Sequence, residues 1–534
     1  MKLWKNGLFF TMEKEDETVS AVLTDGETIL GVGEEEELKK KYGNKINVEI
    51  DLNGEMIFPG FVDSHLHLLW YGMSLSRLNL NQVKSKKTSL EQIRKKVEQL
   101  NLDEWLFVEG YNENEWEDDP TPLTKMDLDA ISTSHPLLVR RIDYHNVVIN
   151  TPLINKLQLK DGQTYDGGGE IQLDKEGKLT GILKDEATNL AINAFPETTP
   201  LEQEEYLSLA IEDLWSKGIT GGHSEDLHYF NGFQGTLKTF HTVIEEKRKA
   251  FRVHLLIHHE ELNVYNQSNE MYLDGNPYIE LGAMKIFYDG TVGSRTALMS
   301  YPYPGTTDYG LQVQTDEVFI ALIKAARKAK LPVAIHILGD KAFEKVIETL
   351  RQFPPLPGQL DRMIHTPWLN TELLKKAKNL PLVFDLQPQF MSSDLPWALD
   401  VLGKNHPPLA FAWKTIKDTG FPIAGGSDAP VEIPNPFFGI HAAVTRMKKD
   451  GKDKKRYFPE EELSVFEALS LYTTGSAIAG YKEDTRGKIK PGYISDFTIL
   501  KQNPFLIEKD SLKDLVVSKT VVGGNVVFSI NDYA

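Results

Sequence analysis

Phe58-Pro59-Gly60-Phe61-Val62-Asp63-Ser64-His65-Leu66-His67 closes an apolar run on two imidazoles, His65 and His67, two positions apart. Side chains at i and i+2 of an extended strand leave the same face, so both rings aim at one point, which is half of a metal site. Pro59 and Gly60 bend the chain into that strand, and Asp63 adds an anion nearby. Alone, an H-x-H pair more often marks a solvated face than a metal, so the other ligands must come from further along the chain.

Working outward, seven more apolar runs have strand length: GITGGHSE, FRVHLLIHH, AMKIFYDG, LPVAIHILGD, DRMIHTPW, PLVFDLQPQ and FPIAGGSDAP. Helical stretches such as DEVFIALIKAARKAK and TELLKKAKN fall between several of them. This βαβα rhythm predicts an α/β fold, and eight such strands fit a closed (β/α)8 TIM barrel over residues 58–483. Residues of about 68–195 break the rhythm and read as a long insertion after the first strand. Both ends, 1–57 and 484–534, alternate short β-like pieces with turns, Asp25-Gly26 and Gly523-Gly524 among them. They predict one small β-sandwich domain formed by the two termini.

Four polar residues sit at carboxyl ends of these runs: Lys285, His336, His365 and Asp428. In a parallel barrel the carboxyl ends share one rim, where active sites lie, so six candidate ligands converge there. A single strand histidine is often a satisfied core residue and a single aspartate often caps a helix, but recurrence at strand end after strand end favours a site. His223, His258 and His259 also end strand-like runs and read as hydrogen-bonded rim or core histidines. Asp340 is expected to cap the helix after the fifth strand or to orient His336.

Composition narrows the chemistry. A formal charge of −18 over 534 residues disfavours nucleic acid, which needs a basic footprint. No apolar run approaches the roughly 18 residues of a membrane span, and the amino terminus lacks the apolar core of a signal peptide, so a cytoplasmic protein is expected. The sequence has no cysteine, which leaves nitrogen and oxygen as the only metal donors.

The motifs resemble the amidohydrolase superfamily, most closely its branch of N-substituted formamide deformylases and related metal-dependent hydrolases. The resemblance rests on FPGFVDSHLH, EWLFVEGYNENEW, HPLLVRRIDYHNVVIN, GGGEI, MKIFYDGTVGSRTA, HILGDKA, GGSDAPV and RGKIKPGYISDFTIL, and it covers nearly the whole chain. It implies that His65, His67 and Asp428 hold one divalent ion, that His336 and His365 hold a second, and that carboxylated Lys285 bridges them. It also places Tyr111, His145 and Arg295 near the substrate. Where the family often has Arg-Ile-Glu-His, this chain has Arg362-Met363-Ile364-His365, which keeps the ligand and removes a neighbouring carboxylate.

An ammonium has no lone pair and would repel a cation, whereas a carboxylated lysine offers anionic oxygen. Two such metals would bring a bridging water near neutral pKa, and Asp428 could pass its proton to a leaving nitrogen. The expected activity is hydrolysis of a carbon–nitrogen bond outside peptides: an amide, an N-substituted formamide or a cyclic amide. Zinc is the expected metal and a small molecule the expected partner, with no nucleic acid and no membrane; a homodimer stays open. The alternatives are a single-metal deaminase of a heterocycle, whose H-x-x-E piece is missing after His336, and a non-catalytic binding protein, which would show a degraded ligand set. Trp105, Trp116 and Tyr111 in the insertion either shape an apolar pocket or form its core.

Overall fold

The computed structural model describes the chain except residues 82, 103, 142–145, 166–168, 186, 450–453 and 534. Eight parallel strands form one sheet: β1 (Phe61–Leu66), β2 (Ile219–Ser224), β3 (Arg252–His258), β4 (Ile279–Phe287), β5 (Val333–Ile337), β6 (Asp361–His365), β7 (Leu382–Leu386) and β8 (Ile423–Gly425). They lie in sequence order, each paired in parallel with the next. These are the eight runs singled out in the sequence. All seven residues of β3 and all five of β6 and β7 are buried, as expected of strands covered on both faces.

The sheet curls until its ends nearly meet. The Asp428 N–H donates to the His65 carbonyl at 2.7 Å, and the Ser427 N–H reaches both Asp63 carboxylate oxygens at 3.1 Å. Gly426 makes this approach feasible, because a Cβ there would stand 2.5 Å from His65 N. Helices cover the outside. In Asp340–Gln352 the buried side chains Ala342, Phe343, Val346, Ile347 and Leu350 recur at helical spacing and face the sheet.

The chain divides into two compact units, one of residues 1–72 with 200–534 and one of residues 73–199. In the first, Phe497–Leu500 pairs antiparallel with Met56–Pro59, directly before β1, within a six-stranded sheet drawn from both ends of the chain. A four-stranded sheet, Thr28–Gly33, Ala21–Asp25, Lys2–Lys5 and Val48–Asp51, shares a core with it around Trp4, Phe9, Val22, Ile57 and Phe497. The second unit has its own mixed six-stranded sheet, running from Gly169–Leu173 to Leu78–Asn79, and two apolar cores of its own.

Candidate metal centre

Each candidate ligand in the barrel sits within the last three residues of its strand or just past its carboxyl end. The Lys285 Nζ lies 3.0 Å from His65 Nε2. Asp428 Oδ1 is 3.4 Å from His65 Nε2 and 3.3 Å from His67 Nε2, and Asp428 Oδ2 is 4.0 Å from His365 Nε2. The rings of His336 and His365 are 4.7 Å apart, and those of His65 and His365 5.7 Å. All six side chains therefore share one rim. Ligand atoms of His65, His365 and Asp428 lie within 4.8 Å of one another, close enough to hold a single ion.

Backbone and buried hydrogen bonds fix these groups. His365 and Asp428 have φ of 71° and 57°, a left-handed conformation that costs on the order of 1 kcal/mol or more for a residue with a Cβ and clusters at functional sites. His67 Nδ1 contacts the Glu225 carbonyl oxygen at 2.7 Å and His365 Nδ1 the Gln387 amide oxygen at 2.7 Å. A carbonyl-type oxygen can only accept, so both contacts call for a proton on Nδ1, and the Nε2 of each ring faces Asp428. Beneath the site Arg362 donates from Nε to Asp385 at 3.2 Å, pairs with it again through Nη2, and donates to the Ser64 carbonyl at 2.5 Å.

Burial governs the charges. It pushes the Asp63 carboxyl up to about 7 despite its hydrogen bonds to Ser427 and His65. Burial likewise lowers Lys285, partly opposed by Glu225, Asp428 and Asp385, and holds His65 and His336 well below the ordinary imidazole value. Asp428 is an exception: burial would raise it, but His67, His365 and Lys285 outweigh that and keep it below the usual carboxylate range. A divalent ion fits this set. The donors are imidazoles and a carboxylate. Burial would lower His67 too, but Asp428, Glu225 and Asp226 outweigh it and raise that ring to about 9, and a bound cation would displace its proton. Buried Lys285 has no carboxylate within ion-pair distance among the described residues.

Three residues went unread in the sequence. Glu225, fully buried just past β2, accepts a hydrogen bond from the Tyr229 hydroxyl at 2.8 Å and faces His67 Nδ1 at 3.6 Å; burial raises it to about 7. Its signal in the sequence is the acidic pair Glu225-Asp226 that closes GGHSED, two residues after His223. Asp385 is the second. Asp289 is the third: it accepts the Leu338 and Gly339 N–H groups at 2.9 and 2.8 Å, fixing the turn from β5 into the helix Asp340–Gln352, which has no side-chain cap. Asp340, expected to cap that helix or orient His336, is its first residue, after the N-cap Gly339, and accepts instead from the Ser300 N–H and hydroxyl at 2.8 and 2.5 Å, pinning the loop that follows β4.

The residues expected near the substrate fare differently. Arg295 is exposed on the loop after β4 and, among the described residues, has no hydrogen bond or ion pair to any of the six. Tyr111 is buried in the core of residues 73–199, its ring 5.9 Å from that of Trp116. His145 lies outside the described residues. His223 and His258 are buried; His258 stacks on His228 at 4.3 Å, while His259 is half-buried.

A family model described as "Amidohydrolase family" matches residues 48–528. The chain belongs to this amidohydrolase family. It is 42% identical to the Bacillus subtilis (strain 168) protein YtcJ, named as an amidohydrolase, over 98% of this chain and 99% of that one. It is 22% identical to an N-substituted formamide deformylase of Arthrobacter pascens, over 96% of each chain. A metal-dependent hydrolase from Pyrococcus furiosus superposes with a TM-score of 0.79 at 28% identity, covering 94% of this chain and 99% of that one. The amidohydrolase chain is thus a metal-dependent hydrolase by family and by fold, with a candidate metal cluster at the carboxyl rim of its barrel.

Proposed function

We propose that this rim holds two divalent ions, zinc first among the candidates, and hydrolyses carbon–nitrogen bonds of small non-peptide amides such as N-substituted formamides, N-acyl compounds or cyclic amides. The observation that carries the reading is Lys285: a fully buried amine 3.0 Å from a neutral imidazole nitrogen, in the midst of the donor set. As a free ammonium it would repel a cation; as the neutral amine it adds to carbon dioxide, releases one proton and becomes an anionic oxygen donor. His65, His67 and Asp428 would hold one ion, His336 and His365 the other, with carboxylated Lys285 between them. Such ions supply Lewis-acid activation of water and of the substrate carbonyl.

This chain's residues do the rest. Asp428 Oδ1 lies 3.4 and 3.3 Å from the His65 and His67 Nε2 atoms on the ligand side, and Oδ2 would accept a proton from the attacking water. As the carbon–nitrogen bond breaks, that proton passes to the leaving nitrogen. Arg295 on the loop after β4 would meet the substrate. The deaminase alternative requires a carboxylate three positions after His336, and that position is Gly339, where a Cβ would come within 1.9 Å of the Leu298 carbonyl oxygen. The A. pascens relative, named for formamide cleavage, supports the amide reading.

Metal analysis after chelator-free purification tests this. About two ions per chain are expected, falling to one or fewer in Lys285→Ala, with hydrolysis somewhere in a panel of N-formyl, N-acyl and cyclic amides that chelation abolishes and zinc restores. Two ions retained in Lys285→Ala would overturn the bridging role. A metal-loaded enzyme inert across the whole panel would overturn the amide assignment.

A further inference from the structure

The amino-terminal end of the barrel, opposite the metal rim, carries a basic cleft of about 440 Å³ including its mouth. Its walls are the starts of β1, β2 and β3, at Gly60, Thr220 and Arg252, together with the segment at 473–496 that leads into Phe497–Leu500. Four cations line it, and they divide into two kinds. Arg252 is spent on Asp496, at 2.6 and 3.0 Å, and on Glu27 at 3.2 Å. Lys482 is spent on Glu280 at 2.7 Å.

Arg486 and Lys488 are different. Arg486 donates one N–H to the Pro277 carbonyl at 3.1 Å, and among the described residues neither Arg486 nor Lys488 forms an ion pair. Burial lowers the Arg486 guanidinium, only partly offset by Glu280 and Asp496 and reinforced by Arg252. His223 lines the same cleft at 4% exposure, its Nε2–Cε1 edge against Gly480 of the cleft wall and its buried Nδ1 without a hydrogen-bond partner. Burial keeps its ring neutral, so it has one N–H to offer. A half-buried arginine without a counter-ion, beside a second uncompensated cation and an unpartnered imidazole, is a costly arrangement unless an anion completes it.

We propose that this cleft binds a small tetrahedral oxyanion, inorganic phosphate or the phosphoryl group of a small metabolite, between Arg486, Lys488 and His223. The guanidinium fork matches two phosphate oxygens, lysine adds a point charge, and imidazole adds a single directed donor. The neighbouring carboxylates Asp496, Glu27 and Glu280 are each already neutralised by a contact with Arg252 or Lys482. Bound there, the anion ties the segment before Phe497 to the strand starts, so the folded state gains stability by mass action.

The test is a thermal-shift and calorimetric titration of the metal-loaded protein with inorganic phosphate, at constant ionic strength set with chloride. Wild type should show a saturable rise in melting temperature, and Arg486→Gln/Lys488→Gln should bind at least ten-fold more weakly with unchanged metal content. Lys490→Gln, which removes an exposed lysine paired with Glu13, should behave as wild type. If the double variant does not fold, Lys488→Gln alone should weaken binding in the same direction. Glycerol phosphate separates the sources: binding ten-fold tighter than phosphate assigns the site to a phosphorylated metabolite, and equal or weaker binding assigns it to the free ion. No saturable response in wild type, or an undiminished response in the variants, which would place the anion at the metal rim, overturns the proposal.

Discussion

Asp385 lies buried beneath the rim between Ser64 and Arg362. It accepts the Ser64 hydroxyl at 2.5 Å while its other oxygen takes the Arg362 fork, and both charged partners are at most 2% exposed. Taking one partner from such a pair leaves an uncompensated buried charge, which costs about 3 to 5 kcal/mol. Asp385→Ala should therefore lose about that much in chemical denaturation, and Arg362→Met in the same chain should recover part of it. A double variant no more stable than Asp385→Ala alone would show that the charge is not the cause. Ser64 adjoins His65, and Arg362 lies three residues before His365, so the same variants should also loosen metal binding. Residues of this kind explain how much of the site was legible. The six candidate ligands stand out because chemistry places rare residue types at strand ends. Asp385 and Glu225 do not, because an acid next to a strand has many roles and only its partners across the barrel decide among them.

At the scale of elements, all eight barrel strands were legible, since buried parallel strands are short apolar runs separated by amphipathic helices. What the runs cannot show is which polar residues inside them are paired. β4 begins next to such a pair. Glu280 is 3% exposed, with His254 Nδ1 at 3.0 Å and Lys482 Nζ at 2.7 Å. Burial lowers His254 despite that carboxylate, so the neutral ring donates its Nδ1–H and the full negative charge faces Lys482. Burial would raise Glu280, but the His254 hydrogen bond and the nearby charges of Arg486 and Lys482 outweigh it and hold the carboxyl at about 2. A carboxyl depressed in the folded state stabilises fully above its ordinary value of about 4.5 and loses that contribution as pH falls toward 2, here on the order of 2 to 3 kcal/mol. Denaturation between pH 3 and 6 should show wild type losing stability on acidification more steeply than Glu280→Gln. Parallel acid limbs in the two proteins would refute the assignment.

For the whole molecule, the interruption after β1 was legible as a break in rhythm but its architecture was not. Its sheet mixes parallel and antiparallel neighbours, uses strands as short as Leu78–Asn79, and pairs Leu106–Tyr111 with Leu137–Arg141 across a helix and turns, none of which leaves a periodic trace. Residues 73–199 nevertheless have a contact network and apolar cores of their own, and every candidate ligand lies in 1–72 with 200–534. The chain also returns to where it left: a Cβ on Gly72 would lie 1.8 Å from the Tyr206 carbonyl oxygen. Pro200 starts the helix containing Tyr206, and six residues at about 1.5 Å rise each put it about 9 Å along that helix. A linker of about four Gly and Ser residues spans such a gap, at roughly 3.3 Å per extended residue. Replacing 73–199 by that linker should leave a cooperatively folding protein that loads metal as the full chain does, because neither the ligands nor their hydrogen-bond partners are removed. Calorimetry and metal analysis of the bridged chain read the two outcomes separately, and loss of metal together with loss of a cooperative transition would show that the two units fold only as one.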